Sequence, residues 1–203
     1  MKEQFEWIHG WCDEAANDDL PRVLLVGDSI VDGYQAKVRE LLHGVCYVDF
    51  IATSYGIDTK MYATLLLAFM TDSEYALIHF NNGLHGVHIT KRTYQSRLEK
   101  LLAKVEKRSK ILLATSTVYY KAGNKRLNTP WMKKVKERND AMYALAEKKG
   151  YGVDDLFFVS TEIPKENRLE DGVHYTPQGY NMLAEAVAKS VGENLQMGVP
   201  CTR

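Results

Sequence analysis

The sequence predicts an α/β protein: a three-layer α/β/α sandwich around a parallel sheet of about five strands, in the flavodoxin-like order 2-1-3-4-5. Three observations lead there. Short apolar runs rich in Val, Ile and Leu alternate with longer segments of helical periodicity. The runs are unbroken, as in strands buried on both faces. Each of the first three runs straight into small or turn-forming residues, the place where open α/β sheets collect their ligands.

The elements follow in order. Residues 3–16 set Phe5, Ile8, Trp11, Cys12 and Ala15 at helical spacing, which predicts an opening helix with Trp7 and Trp11 along one edge. Residues 22–26 form the first strand and run into Gly27-Asp28-Ser29; a helix follows through Val38, Leu41 and Leu42 and stops at Gly44. Residues 45–51 are the second strand, ending in the small-residue loop 52–56, and residues 58–70 a helix. Residues 75–80 are the third strand, breaking into Asn81-Asn82-Gly83-Leu84-His85. Tyr94, Leu98, Leu101, Leu102 and Val105 stripe the next helix, whose outer face is basic, and residues 111–115 are the fourth strand.

The polar stretch 116–129, opening with Tyr119 and Tyr120, is long for a connection, and loops of that length are usually functional or mobile. Thr129-Pro130 opens a helix to about Lys149, residues 151–153 are a short fifth strand, and the segment from Asp154 reads as irregular. Thr176-Pro177 opens the last helix, with Tyr180, Leu183, Val187 and Val191 on its buried side.

The 203 residues fit one domain, 1–203, in which residues 1–20 are an N-terminal helix packed on the body. Lys plus Arg equal Asp plus Glu at 26 each, so no long-range field draws in nucleic acid or an anionic membrane, and neither is an expected partner. The acidic residues at the start and the absence of a long apolar run predict a cytoplasmic protein, unless a signal sequence has been trimmed. Cys12, Cys46 and Cys201 read as reduced packing residues.

Chemistry can come from few residues. Ser29 stands at the tip of the first strand, and a serine hydroxyl needs a base to become a nucleophile. Asp171 and His174, three apart just before the last helix, supply a base and the carboxylate that orients it. An Asn at the end of the third strand suits the negative charge that acyl transfer develops on a carbonyl oxygen, although Asn-Gly also favours a plain turn. His79, His85 and His88 have no carboxylate or cysteine nearby at ligand spacing, so no metal and no other cofactor is expected. Asp28, His85 and Tyr119 are candidates for binding substrate; Asp28 has the alternative role of holding its turn.

Gly27-Asp28-Ser29-Ile30 together with Asp171-Gly172-Val173-His174, followed by Thr176, Gly179 and Tyr180, resembles the first and last blocks of the SGNH, or GDSL-type, hydrolases. The middle resembles a variant branch with an Asn-x-Gly-Leu-His third block. The resemblance implies Ser29 as nucleophile, His174 as base and Asp171 as its orienter. It also implies an oxyanion hole from the Ser29 N–H, the side chain of Asn81 or Asn82, and an N–H of Ser54 or Gly56. The expected function is serine ester hydrolysis through an acyl-enzyme on a small-molecule ester, with an acetyl group on a carbohydrate as the leading substrate. A thioesterase or lysophospholipase, or a catalytically silent carbohydrate-binding domain, is the alternative.

Overall fold

The computed structural model describes residues 4–123 and 126–196. Its centre is one six-stranded sheet in the order β1-β3-β2-β4-β5-β6, formed by Ile8–Trp11, Arg22–Gly27, Tyr47–Thr53, Leu77–Phe80, Lys110–Ala114 and Gly152–Asp154, numbered in chain order. The strands β2 to β6 are mutually parallel, and their order is the one expected for five strands. The sheet has one strand more than expected, because β1 lies antiparallel on β3.

That extra strand corrects the reading of the N-terminus. Residues 3–16 were expected to form a helix; among those described, Ile8–Trp11 is a strand and residues 13–16 are turn. The apolar positions fit a helical period, but in the strand Ile8 and Trp11 fall on opposite faces and all four residues are exposed, so pairing with β3 rather than an apolar face sets the conformation. On one side the Trp7 and His9 rings lie 5.1 Å apart, the Arg39 guanidinium sits 5.5 Å over the Trp11 ring, and His9 Nδ1 pairs with Asp32 Oδ2 at 2.9 Å. On the other, Gly10 faces Phe69 so closely that an added Cβ would meet its ring at 3.2 Å. Unpaired N–H and C=O groups on the edge of β3 would cost more than a short helix could return, so the segment closes the sheet instead.

Helices cover both faces. The helices α1 (Ser29–Leu41), α5 (Leu156–Glu162) and α6 (Pro177–Gln196) pack on the side of Val23 and Leu25. The helices α2 (Lys60–Asp72), α3 (Lys91–Leu102) and α4 (Thr129–Lys149) pack on the side of Leu24 and Val26. Alternate residues of β2 thus feed separate cores, as its unbroken apolar run requires. The segment read as irregular forms α5: Asp155 caps it, its side chain accepting from Phe158 N–H at 3.1 Å, a short signal hidden among aromatic residues. No described helix is long and apolar enough to cross a membrane. Cys46 is buried, which pushes its thiol up to about 12, Cys12 is exposed, and Cys201 lies outside the described residues.

Candidate active site

The turn from β2 to α1 is built by Asp28. Its buried carboxylate accepts from Ile30 N–H at 2.9 Å and so caps α1, leaving Ser29 as the first helical residue. The Ser29 N–H belongs to the first turn and has no intrahelical acceptor, and the helix dipole adds positive potential there. Asp28 is fully buried, so it acts on the turn and presents no surface to a substrate.

From the far end of the chain, the turn before α6 carries the base to the same edge. His174 Nε2 lies 2.8 Å from Ser29 Oγ, and His174 Nδ1 lies 2.7 Å from Asp171 Oδ2. The other Asp171 oxygen accepts from the N–H groups of Val173 at 2.8 Å and His174 at 2.9 Å, so the carboxylate is fixed by its own turn. Burial works to raise the Asp171 carboxyl, but those two N–H groups and the imidazole outweigh it and hold it below the ordinary carboxylate range. Gly172 is needed here: its φ is +82°, and an added Cβ would meet Tyr120 O at 2.4 Å.

The long loop expected to be functional lies against this turn. Tyr120 N–H donates to Gly172 O and Gly123 N–H to Glu170 O, both at 2.8 Å. The loop closes on itself through Lys121 N–H to Arg126 O at 2.8 Å and Asn128 N–H to Tyr119 O at 3.0 Å. Tyr119 stacks on Trp131 with ring centroids 5.0 Å apart and planes 16° from parallel. Burial and the Asp171 charge both raise the Tyr119 phenol.

The third-strand loop is held from below. Asn81 N–H extends the ladder to Val26 O at 2.8 Å, and Asn81 Nδ2 donates to Ala114 O at 2.8 Å, which leaves its second amide hydrogen. Tyr62 OH donates to Asn81 O at 3.3 Å and Tyr94 OH to Asn82 O at 3.1 Å. The buried Arg138 donates to Gly86 O at 3.0 Å and Ile89 O at 3.1 Å and lies 4.1 Å over the Tyr94 ring. Asn82 is 0% exposed, against 7% for Asn81, and its amide turns to Tyr55 O at 3.5 Å. His85 is half-buried in the same loop.

At the end of β3, Ser54 and Gly56 part ways. Ser54 N–H donates to Trp7 O at 3.3 Å and is thereby committed. Gly56 N–H has no acceptor among the described residues, and Gly56 packs so tightly on Gly86 that a Cβ would meet its Cα at 2.9 Å. The remaining histidines pair elsewhere: His79 Nε2 with Asp154 Oδ2 at 2.9 Å inside the core, and His88 Nε2 with Asp58 Oδ2 at 3.0 Å. Sequence reasoning missed Tyr62 and Arg138 and took Tyr94 for core packing alone. The usable signal was the hydroxyl of a buried tyrosine, which must find an acceptor.

No protein-family profile matches the sequence, and no curated protein does. Solved structures do. The acetylxylan esterase of Geobacillus stearothermophilus superposes with a TM-score of 0.67 at 18% identity, covering 85% of this chain and 94% of that one. A lipase/acylhydrolase of Enterococcus faecalis gives 0.67 at 16% identity, over 86% and 96%. An alpha/beta hydrolase from the metagenome of Lake Arreo gives 0.69 at 14% identity, over 85% and 95%. At these identities the likeness establishes a shared fold.

Proposed function

We propose that the protein is a serine ester hydrolase of the SGNH type, working through an acyl-enzyme on a short acyl ester. The observation that carries this reading is the continuous line from Asp171 Oδ2 through His174 to Ser29 Oγ, at 2.7 and 2.8 Å. Asp171 fixes the imidazole proton on Nδ1, which leaves Nε2 to accept from the serine hydroxyl. As Ser29 Oγ attacks the acyl carbon, His174 takes its proton and then returns it to the leaving alkoxide. Water, deprotonated by the same nitrogen, releases the acid and restores the serine.

The tetrahedral oxygen is stabilised by the Ser29 N–H at the head of α1, the second amide hydrogen of Asn81 and the Gly56 N–H. Asn81 is the better donor than Asn82 because Asn82 presents no surface to a substrate. Between Ser54 and Gly56, only the glycine has its N–H uncommitted. Two features favour an acetylated carbohydrate: the Tyr119–Trp131 pair offers flat rings next to Tyr120, which bonds the Asp171–His174 turn at Gly172 O, and structural neighbours include an acetylxylan esterase. His85 and Tyr119 are then the candidates for contacting the alcohol part.

The test compares wild type and Ser29→Ala on p-nitrophenyl acetate, then follows acetate release from acetylated xylo-oligosaccharides beside long-chain esters and an acyl thioester. The expected result is turnover that Ser29→Ala lowers by about 10³-fold or more, with the acetylated sugar preferred. Equal rates for the two proteins would refute the hydrolase; preference for the long chain or thioester would replace the substrate.

A further inference from the structure

We propose that the N-terminal strand is a positioning device for catalysis: Glu6 and Trp7 hold Ser54, and through it residues 54–56, where the Gly56 N–H meets the developing oxyanion. The proposal rests on the hydrolase reading above and adds a role for a segment that lies outside the catalytic motifs.

The paired register of β1 with β3 ends at Ile8 opposite Thr53. An edge strand serving only to close the sheet would stop there. Instead the chain continues past the strand end and grips the loop beyond it. Thr53 Oγ1–H donates to Trp7 O at 2.8 Å and Trp7 N–H donates to Ser54 Oγ at 2.9 Å. Ser54 Oγ–H in turn donates to Glu6 Oε2 at 2.7 Å, a charge-assisted bond. Ser54 is 1% exposed, while Glu6 and Trp7 are half-buried.

The grip is transmitted in both directions along the reacting edge. Tyr55 N–H donates to Thr53 Oγ1 at 3.2 Å, and Tyr55 O accepts from Asn82 Nδ2, which ties the second-strand loop to the third. On the other side, His9 Nδ1 pairs with Asp32 Oδ2 at 2.9 Å, and Asp32 lies in the first turn of the helix that carries Ser29. One short segment therefore fastens the nucleophile's helix to the loop that donates to the oxyanion. With its own N–H spent on Trp7, Ser54 acts as the anchor of that loop, and Gly56 is left as the donor.

The experiment uses the full chain with Ser54→Ala, Glu6→Ala and Glu6→Gln. Ser54→Ala and Glu6→Ala are expected to lower kcat on p-nitrophenyl acetate by about 10- to 100-fold while KM stays within about 2-fold, because the lost contacts act on the transition state. Inhibition by phenylboronic acid, whose tetrahedral adduct places an oxygen in the same donors, should weaken by about the same factor. Glu6→Gln keeps an acceptor for the serine hydroxyl and should stay within about 3-fold of wild type. Amide exchange at residues 54–56 should quicken in Ser54→Ala and Glu6→Ala and not in Glu6→Gln. Wild-type kcat and boronate affinity in both alanine variants would overturn the proposal. If wild type shows no Ser29-dependent turnover, the hydrolase reading fails by itself; amide exchange then decides whether the strand holds the loop, and unchanged exchange overturns it.

Discussion

Replacing Asp171 with Asn changes one atom type at the point where the base is oriented. The Oδ1 of Asn still accepts from the Val173 and His174 N–H groups, at 2.8 and 2.9 Å in the wild type, so the turn survives. The other oxygen becomes an NH2 group 2.7 Å from His174 Nδ1, and two donors cannot face each other at that distance. The imidazole must move its proton to Nε2, which then points at Ser29 Oγ from 2.8 Å with no lone pair to receive the hydroxyl proton. A wrong tautomer of this kind costs about 10⁴ in kcat, or about 5.4 kcal/mol of barrier. The two side chains are 35% and 48% exposed, so water softens the effect, and a loss of at least about 10³ is the working expectation. The assay is kcat on p-nitrophenyl acetate, with a thermal melt showing that the fold is intact. A folded Asp171→Asn variant within about tenfold of wild type would refute the orienting role.

Asn81→Ala should lower kcat by about 10²- to 10³-fold with little change in KM, and more than Asn82→Ala does; the reverse order in steady-state kinetics would move the donor to Asn82. Arg138→Met should destabilise by about 3 kcal/mol, since it strands the carbonyls of Gly86 and Ile89 in the core; a urea midpoint equal to wild type would remove Arg138 as the clamp of that loop. The pH response reports on Asp171. Asp171 is held below its ordinary 3.8, so the stability it contributes is complete above that value and disappears only as pH falls through the depressed one. Wild type should therefore keep its full stability advantage over Asp171→Asn down to pH 3.8 and lose it only below. The gap between the melting temperatures of wild type and Asp171→Asn should stay constant above that pH; a gap that already closes above it would mean that the carboxyl is not held down.

The order of the parallel strands was legible because each is a local apolar run and right-handed crossovers leave few ways to arrange them. Ser29, Asp171 and His174 were legible for a related reason: each sits in a compact turn whose spacing is local, with Asp28 capping the helix and Asp171 accepting from the two residues it must hold. The opening strand was not legible, since its apolar residues keep helical spacing, the strand residues are all exposed, and only pairing with the edge of β3 makes the segment extended. Nor could sequence separate Asn81 from Asn82 or Ser54 from Gly56. Neighbours in a chain share composition, but Ala114, Tyr55 and Trp7 come from distant segments, and the hydrogen bonds they accept from the Asn81 amide, the Asn82 amide and the Ser54 N–H decide which donors are committed. The chain by itself determined the layers and the chemical groups. The tertiary structure alone decided which polar atoms were spent on packing and which were left uncommitted, because a donor buried by a remote partner is satisfied only once the whole sheet has closed.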